Sequence, residues 1–136
     1  MKVLVADSQP QVRHALSIWI VGQLGWDVVG ESSDSFDLLD KLNQLTPEVV
    51  ILDRDLPGIS TKELVAGIRQ DIKAIVIILL FNSPLEQSRS DKLDVDFFVS
   101  KIDPPARMLD KLLKAERSLD SKSNKNQDGD LFNKII

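Results

Sequence analysis

Two hydrophobic patterns alternate along the chain. Apolar runs occur in "KVLVA" at 2–6, "DVVGES" at 27–32, "EVVILD" at 48–53, "AIVIILLF" at 74–81 and "DFFVSK" at 96–101. They are largely continuous and lack the apolar–polar alternation of half-exposed strands, so they read as strands buried on both faces. Between them, apolar residues recur at helical spacing. Val12, Ala15, Leu16, Trp19, Ile20 and Leu24 form one stripe, with Pro10 suited to a first helical turn and Gly25 to the stop. "SFDLLDKLNQL" is expected to turn Phe36, Leu39 and Leu42 inward, with Pro47 beyond its end. Residues 61–69 offer Leu64, Val65 and Ile68. "SPLEQSRSDKL" is a weak helix with few apolar anchors, and "PPARMLDKLLKAERSL" presents Met108, Leu109, Leu112 and Leu113 to a core. Five strands alternating with five helices predict an α/β domain with a doubly wound, five-stranded parallel sheet. That domain is expected over residues 1–118, and residues 119–136 read as a polar tail or linker. "LFNKII" closes the chain as an apolar cluster, either a cut through longer sequence or a small docking patch.

Composition narrows the function. A chain of 136 residues suits one compact domain. Its net charge of −4 argues against direct, phosphate-driven nucleic-acid binding. Cysteine is absent, which excludes disulfides and thiolate zinc sites and fits a reducing, cytoplasmic setting. A single histidine, His14, excludes a His-rich metal site, and a solvated helix position explains it. No signal peptide is expected, because Asp7 interrupts the first apolar run. The stretch ending at Phe81 is too short to span a bilayer, so no membrane partner is expected. No glycine-rich phosphate loop occurs, which weighs against a small flavodoxin-like enzyme or nucleotide binder.

The chemistry gathers at strand ends. Ligands of open parallel α/β sheets bind outside the carboxyl ends of the strands. Asp7 follows the first strand, Asp53 ends the third and Lys101 ends the fifth, with Asp55 and Pro57-Gly58 in the loop after Asp53. Such a set suits acyl phosphate formation. A carboxylate attacks a phosphoryl donor, a hard cation such as Mg²⁺ neutralises the incoming charge, and a lysine supplies a point charge for the phosphate.

"VLVADSQPQVRHAL", "PEVVILDRDLPGIS" and "DFFVSKID" resemble, in order and spacing, the receiver domains of two-component response regulators. The likeness covers residues 2 to about 117 and is nearest to receivers that carry a C-terminal helix-turn-helix domain. It implies the flavodoxin-like receiver fold and a signalling role, not that of an enzyme. Asp53 would be the phosphoacceptor and Lys101 the phosphate contact. Mg²⁺ would lie on Asp7, Asp53 and the backbone carbonyl of Asp55, and Phe98 holds the place of the switch aromatic. Implied partners are a sensor histidine kinase or another signalling protein, and a second copy in a homodimer.

Two positions depart from that pattern. Ser8 stands where the family has a second acidic residue, a magnesium ligand. The hydroxyl that ends the fourth strand is replaced by Leu79 in the alignment, and moving the match to Ser83 would insert residues into a strand that otherwise fits. The resemblance therefore implies weak Mg²⁺ binding and an atypical receiver, poorly phosphorylated, that acts as a protein-interaction module. The alternative is a conventional phosphorylatable regulator controlling transcription through a separate output domain. Asp94 stands at a usual glycine, which would strain a turn that needs positive φ. Arg54 is expected to point away from Asp53. Trp19 and Trp26 suit packing or helix-end anchoring, and the charges at Lys111, Lys114, Glu116 and Arg117 suit a solvated face.

Overall fold

The computed structural model describes residues 1–90 and 92–135, with side chains for 1–89 and 92–121. Asp91, within the expected fourth helix, and the side chains of "LFNKII" lie outside the described residues. The order is β1 (Lys2–Ala6), α1 (Pro10–Leu24), β2 (Asp27–Ser32), α2 (Ser35–Leu45), β3 (Val49–Asp53), α3 (Thr61–Asp71), β4 (Val76–Phe81), α4 (Pro84–Ser90), β5 (Phe97–Ser100) and α5 (Pro105–Ile135). One sheet runs β2-β1-β3-β4-β5, and every neighbouring pair is parallel. The doubly wound sheet expected from the pattern is present.

Strand parity divides the core in two. Leu4, Ala6, Val50, Leu52, Ile77 and Leu79 face one side and pack on α2 and α3 through Leu38, Leu42, Leu64, Val65 and Ile68. Val3, Val5, Val49, Ile51, Val76, Ile78, Leu80 and Val99 face the other and pack on α1 and α5 through Ile20, Leu112 and Ala115. Side chains alternate along a strand, so each strand feeds both layers. This is why the runs contain almost no polar residues.

Local chemistry sets the helix ends. Pro10 opens α1, and Gly25 closes it at φ +64°, donating its N–H to the Val21 carbonyl at 3.0 Å. Asp34 caps α2 by accepting from Asp37 N at 2.9 Å, and Ser60 caps α3 by accepting from Glu63 N at 3.3 Å. Ser83 and Glu86 form a reciprocal capping box at α4: Glu86 N donates to Ser83 Oγ at 3.4 Å, and Ser83 N to Glu86 Oε2 at 3.2 Å.

Three expectations change. Phe36 is 63% exposed, and Leu38 takes its inward place at 0% exposure. The α2 stripe runs through Leu38 and Leu42, four residues apart, and Phe36 instead lies beside Gly58. Ala15 is exposed on α1. Asp94 causes no strain, since Thr46 alone among the described non-glycine residues has positive φ. Its turn is held by Arg69, whose Nε donates to the Asp94 carbonyl at 2.8 Å and whose guanidinium also reaches the Ile75 carbonyl and the Asp96 carboxylate. The last helix, α5, runs from Pro105 to Ile135. Trp26 is buried and donates Nε1–H to Glu116 Oε2 at 2.8 Å, pinning α5 to the start of β2.

The loop after β3 is tied to the start of α2. Ser35 N donates to the Pro57 carbonyl at 2.9 Å, and Ile59 N donates to Ser35 Oγ at 2.7 Å. Gly58 sits between them at φ +110°, and a Cβ there would lie 2.2 Å from Ser35 Oγ. Gly58→Ala is therefore expected to cost about 1–3 kcal/mol in chemical denaturation. A loss below about 0.5 kcal/mol would show that the loop shifts without penalty.

Candidate functional site

Parity also builds the site. Asp7 lies two residues beyond Val5, Asp53 two beyond Ile51 and Lys101 two beyond Val99, all on the α1/α5 side. The chain leaves β1 for β2 on one side and returns to β3 on the other. The ends of β1 and β3 therefore flank the crevice where such sheets bind ligands. Asp7 is 0% and Asp53 3% exposed, and the structure brings both to Lys101. Lys101 Nζ stands 2.8 Å from Asp7 Oδ2 and 3.2 Å from Asp53 Oδ2. The Lys101 ammonium is thus the partner of the buried Asp7 Oδ2. The other oxygens are held by backbone: Gln9 N donates to Asp7 Oδ1 at 2.9 Å, and Asp55 N to Asp53 Oδ1 at 3.1 Å. Arg13 Nη1 donates to the Asp7 carbonyl at 2.8 Å.

Two carboxylates against one ammonium leave one negative charge. Burial pushes the Asp53 carboxyl above its ordinary range, and the Asp7 charge adds to this; the Asp55 N–H and Lys101 oppose them without prevailing. Burial alone would lower Lys101, but the hydrogen bond and charge of Asp7 and the charge of Asp53 raise it.

Leu79 does not reach this site. It is paired with Leu52 and Phe98 on the α2/α3 side of the sheet. The residue opposite Asp53 is Leu80, which lies on the same side as Asp7, Asp53 and Lys101. The family alignment placed Leu79 at this position. The pairing register, which spacing alone does not reveal, puts Leu80 beside Asp53. Either residue lacks a hydroxyl. Ser83 does not supply one, because its Oγ caps α4. Phe98 is half-buried in the α2/α3 layer with Leu79, apart from the carboxylates.

Residues around the rim were less legible. Asn82 Nδ2 donates to Asp55 Oδ2 at 3.1 Å, spanning the loops after β3 and β4. Arg54 turns to Asp55, with Nη1 3.6 Å from Oδ1. Ser8 is exposed. His14 is largely solvated, 3.4 Å from Glu31 Oε2. Among the described residues, no group of three or more carboxylate, histidine or cysteine side chains is placed to hold a metal. The donors that do converge are two carboxylates, Asp7 and Asp53, both facing Lys101. That set fits a hard cation which keeps several waters and takes one or two carboxylates, and it is one carboxylate short of an acidic pair at positions 7 and 8.

Comparison with known proteins agrees with this geometry. The response regulator receiver domain family model matches residues 3–112, and the chain belongs to that family. It is 30% identical to the transcriptional regulatory protein BtsR of Salmonella typhi over 79 residues, covering 58% of this chain and 33% of that protein. It is 27% identical to the response regulator protein VraR of Staphylococcus epidermidis over 103 residues, covering 74% of this chain and 49% of that one. The chain thus spans a third to a half of these curated relatives. Among solved structures, the isolated receiver domain of RcsB from Salmonella enterica serovar Typhimurium, in the presence of the phosphomimetic BeF3⁻, superposes with a TM-score of 0.78 at 26% identity, covering 89% of this chain and 96% of that one. RcsB bound to promoter DNA gives a TM-score of 0.76 at 29% identity, covering 83% and 66%.

Charge balance predicts opposite outcomes for two variants. Lys101→Ala leaves two facing buried carboxylates. It should cost about 3 kcal/mol at neutral pH, with the loss shrinking in acid as one carboxyl protonates. Asp53→Asn should change stability by no more than about 1 kcal/mol at pH 7. The native state holds the Asp53 proton more tightly than the unfolded chain does. Ionised Asp53 is therefore a burden above its raised pKa, and the burden fades as pH falls through that value toward about 3.9. Denaturation across pH checks both, and a loss of several kcal/mol in Asp53→Asn would show Asp53 to be a structural partner of Lys101.

Proposed function

We propose that this receiver domain accepts a phosphoryl group on Asp53 weakly and slowly, and works mainly as a protein-interaction module in two-component signalling. The carrying observation is what flanks Asp53. Exposed Ser8 follows Asp7, and Leu80 pairs with Asp53. The first removes a carboxylate from the cation site, and the second removes a hydroxyl donor from the phosphate site.

Asp7, Asp53 and the Asp55 carbonyl would hold Mg²⁺, which supplies charge neutralisation for phosphoryl transfer when bound. Asp53 would act as the nucleophile. Gln9 N–H and Asp55 N–H orient the two carboxylates, and Lys101 stands ready for the phosphate oxygens. A unit charge about 4 Å from a cation is worth roughly 4 kcal/mol at an effective dielectric near 20, before hydration is subtracted. A net loss of about 1–3 kcal/mol corresponds to roughly 10- to 150-fold weaker Mg²⁺ binding. Leu80, fixed by packing, offers the phosphate no bond to follow. The conventional reading, a phosphorylatable regulator with a separate DNA-binding output, draws support from the intact Asp7, Asp53 and Lys101 cluster. The expected partners are a histidine kinase or another signalling protein and a second copy of the chain, in the cytoplasm. The expected boundary lies near residue 118. No helix among the described residues is long and apolar enough to cross a membrane.

Magnesium titration followed by amide shifts tests this reading. Ser8→Asp should tighten binding by roughly 10- to 150-fold, whereas a sub-millimolar dissociation constant in the unaltered chain would contradict it. A partner, once captured, should bind Asp53→Ala within about tenfold of the unaltered chain. A larger loss, above about 1.4 kcal/mol of coupling, would mean that a phosphorylation switch persists.

A further inference from the structure

Asp7 enters the acidic site from a turn that packing does not hold. Residues 8–11, which lead from β1 into α1, are all exposed, so no buried side chain fixes that stretch. Pro10, three residues after Asp7, has no N–H with which to close a turn on the Asp7 carbonyl. Two other hydrogen bonds hold the Asp7 end. Gln9 N donates to Asp7 Oδ1 at 2.9 Å, and Arg13 Nη1 donates to the Asp7 carbonyl at 2.8 Å.

Arg13 is itself held. Its side chain is mostly buried, and Nε donates to Glu31 Oε1 at 3.1 Å. Glu31 lies in β2; Lys41 bonds its carbonyl, and its second oxygen, Oε2, stands 3.4 Å from His14 Nδ1. The planar guanidinium thus spans the ends of β1 and β2 with two donors in fixed directions, which a flexible ammonium does not reproduce. Both bonds on Asp7 depend on one peptide plane. Turning the Asp7–Ser8 peptide would take its carbonyl from Arg13 and swing Gln9 N away from Oδ1. The bond on the carbonyl therefore sets where the carboxylate points, with Oδ1 on Gln9 and Oδ2 on Lys101. Ser8 raises the stakes, because this turn offers a cation Asp7 as its one carboxylate.

We propose that Arg13 is a positioning residue for the acidic site: through the Asp7 carbonyl it keeps the Asp7 carboxylate aimed beside Asp53, and Glu31 keeps Arg13 in place. For metal binding this rests on Asp7 and Asp53 being the cation ligands, as proposed above.

The sign of the effect separates positioning from charge. Arg13→Gln removes a positive charge, so its field alone would tighten Mg²⁺ binding. Arg13→Lys keeps the charge and loses the fork, so its field alone would change nothing. Positioning requires both variants of the full chain to bind Mg²⁺ about fivefold more weakly, the scale of one lost hydrogen bond. A second readout needs no metal. Amide hydrogen exchange of Gln9 reports its bond to Asp7 Oδ1, and exchange of Ile51, deep in β3, reports global stability. Gln9 should exchange at least about threefold faster in both variants, after correction for any change at Ile51. Unchanged Gln9 exchange in either variant overturns the proposal, and so does Mg²⁺ binding that is unchanged in Arg13→Lys or tighter in Arg13→Gln. If the unaltered chain shows no saturable response to Mg²⁺ while Gln9 exchange rises in both variants, the positioning role stands and the cation reading fails.

Discussion

One ammonium between two buried carboxylates is the contact on which the carboxyl edge of this sheet depends. Asp7 and Asp53 lie at the ends of two central strands, where water is excluded and like charges sit close together. Lys101 arrives from β5 and makes that proximity tolerable. Unpaired, the carboxylates would repel and take up a proton. With Lys101 in place, a single negative charge remains in the cluster. The fold serves this arrangement. The parallel strands end together, their parity turns all three side chains to the α1/α5 layer, and backbone N–H groups from the following loops fix the outer oxygens.

Much of this was legible from the residues. Continuous apolar runs announced buried strands, and Pro10, Gly25 and the end of each run marked the element boundaries. Asp7, Asp53 and Lys101 could be placed together because ligand sites of such sheets gather at strand ends. What escaped the sequence depends on quantities it does not display. Leu79 and Leu80 are adjacent and chemically alike, and only the pairing of β4 with β3 decides which one faces Asp53. Phe36 is the larger hydrophobe, yet the helical stripe runs through Leu38. Asp94 breaks a glycine preference without strain because a distant arginine, Arg69, holds its carbonyl.

On the proposed function, the departures at Ser8 and Leu80 would act on one reaction coordinate from two sides. A lost carboxylate would leave the resting site less crowded and less able to retain a cation. A lost hydroxyl would remove the donor that ties an attached phosphate to β4. The nearest hydroxyl in the following loop, Ser83, is committed to opening α4 and cannot serve both purposes. Leu80 meanwhile extends the apolar wall of a groove between α1 and α5 to the edge of the acidic cluster. Leu80 thus joins the acidic site to an apolar surface.

Intact-mass measurement of phosphate incorporation from acetyl phosphate in the presence of Mg²⁺ tests the central claim most directly. The unaltered chain should acquire one phosphoryl group, on Asp53, slowly and incompletely. The Ser8→Asp, Leu80→Thr double variant should do so at least about tenfold faster, a barrier change of about 1.4 kcal/mol. Rapid stoichiometric modification of the unaltered chain, at the rate of the double variant, would contradict the account.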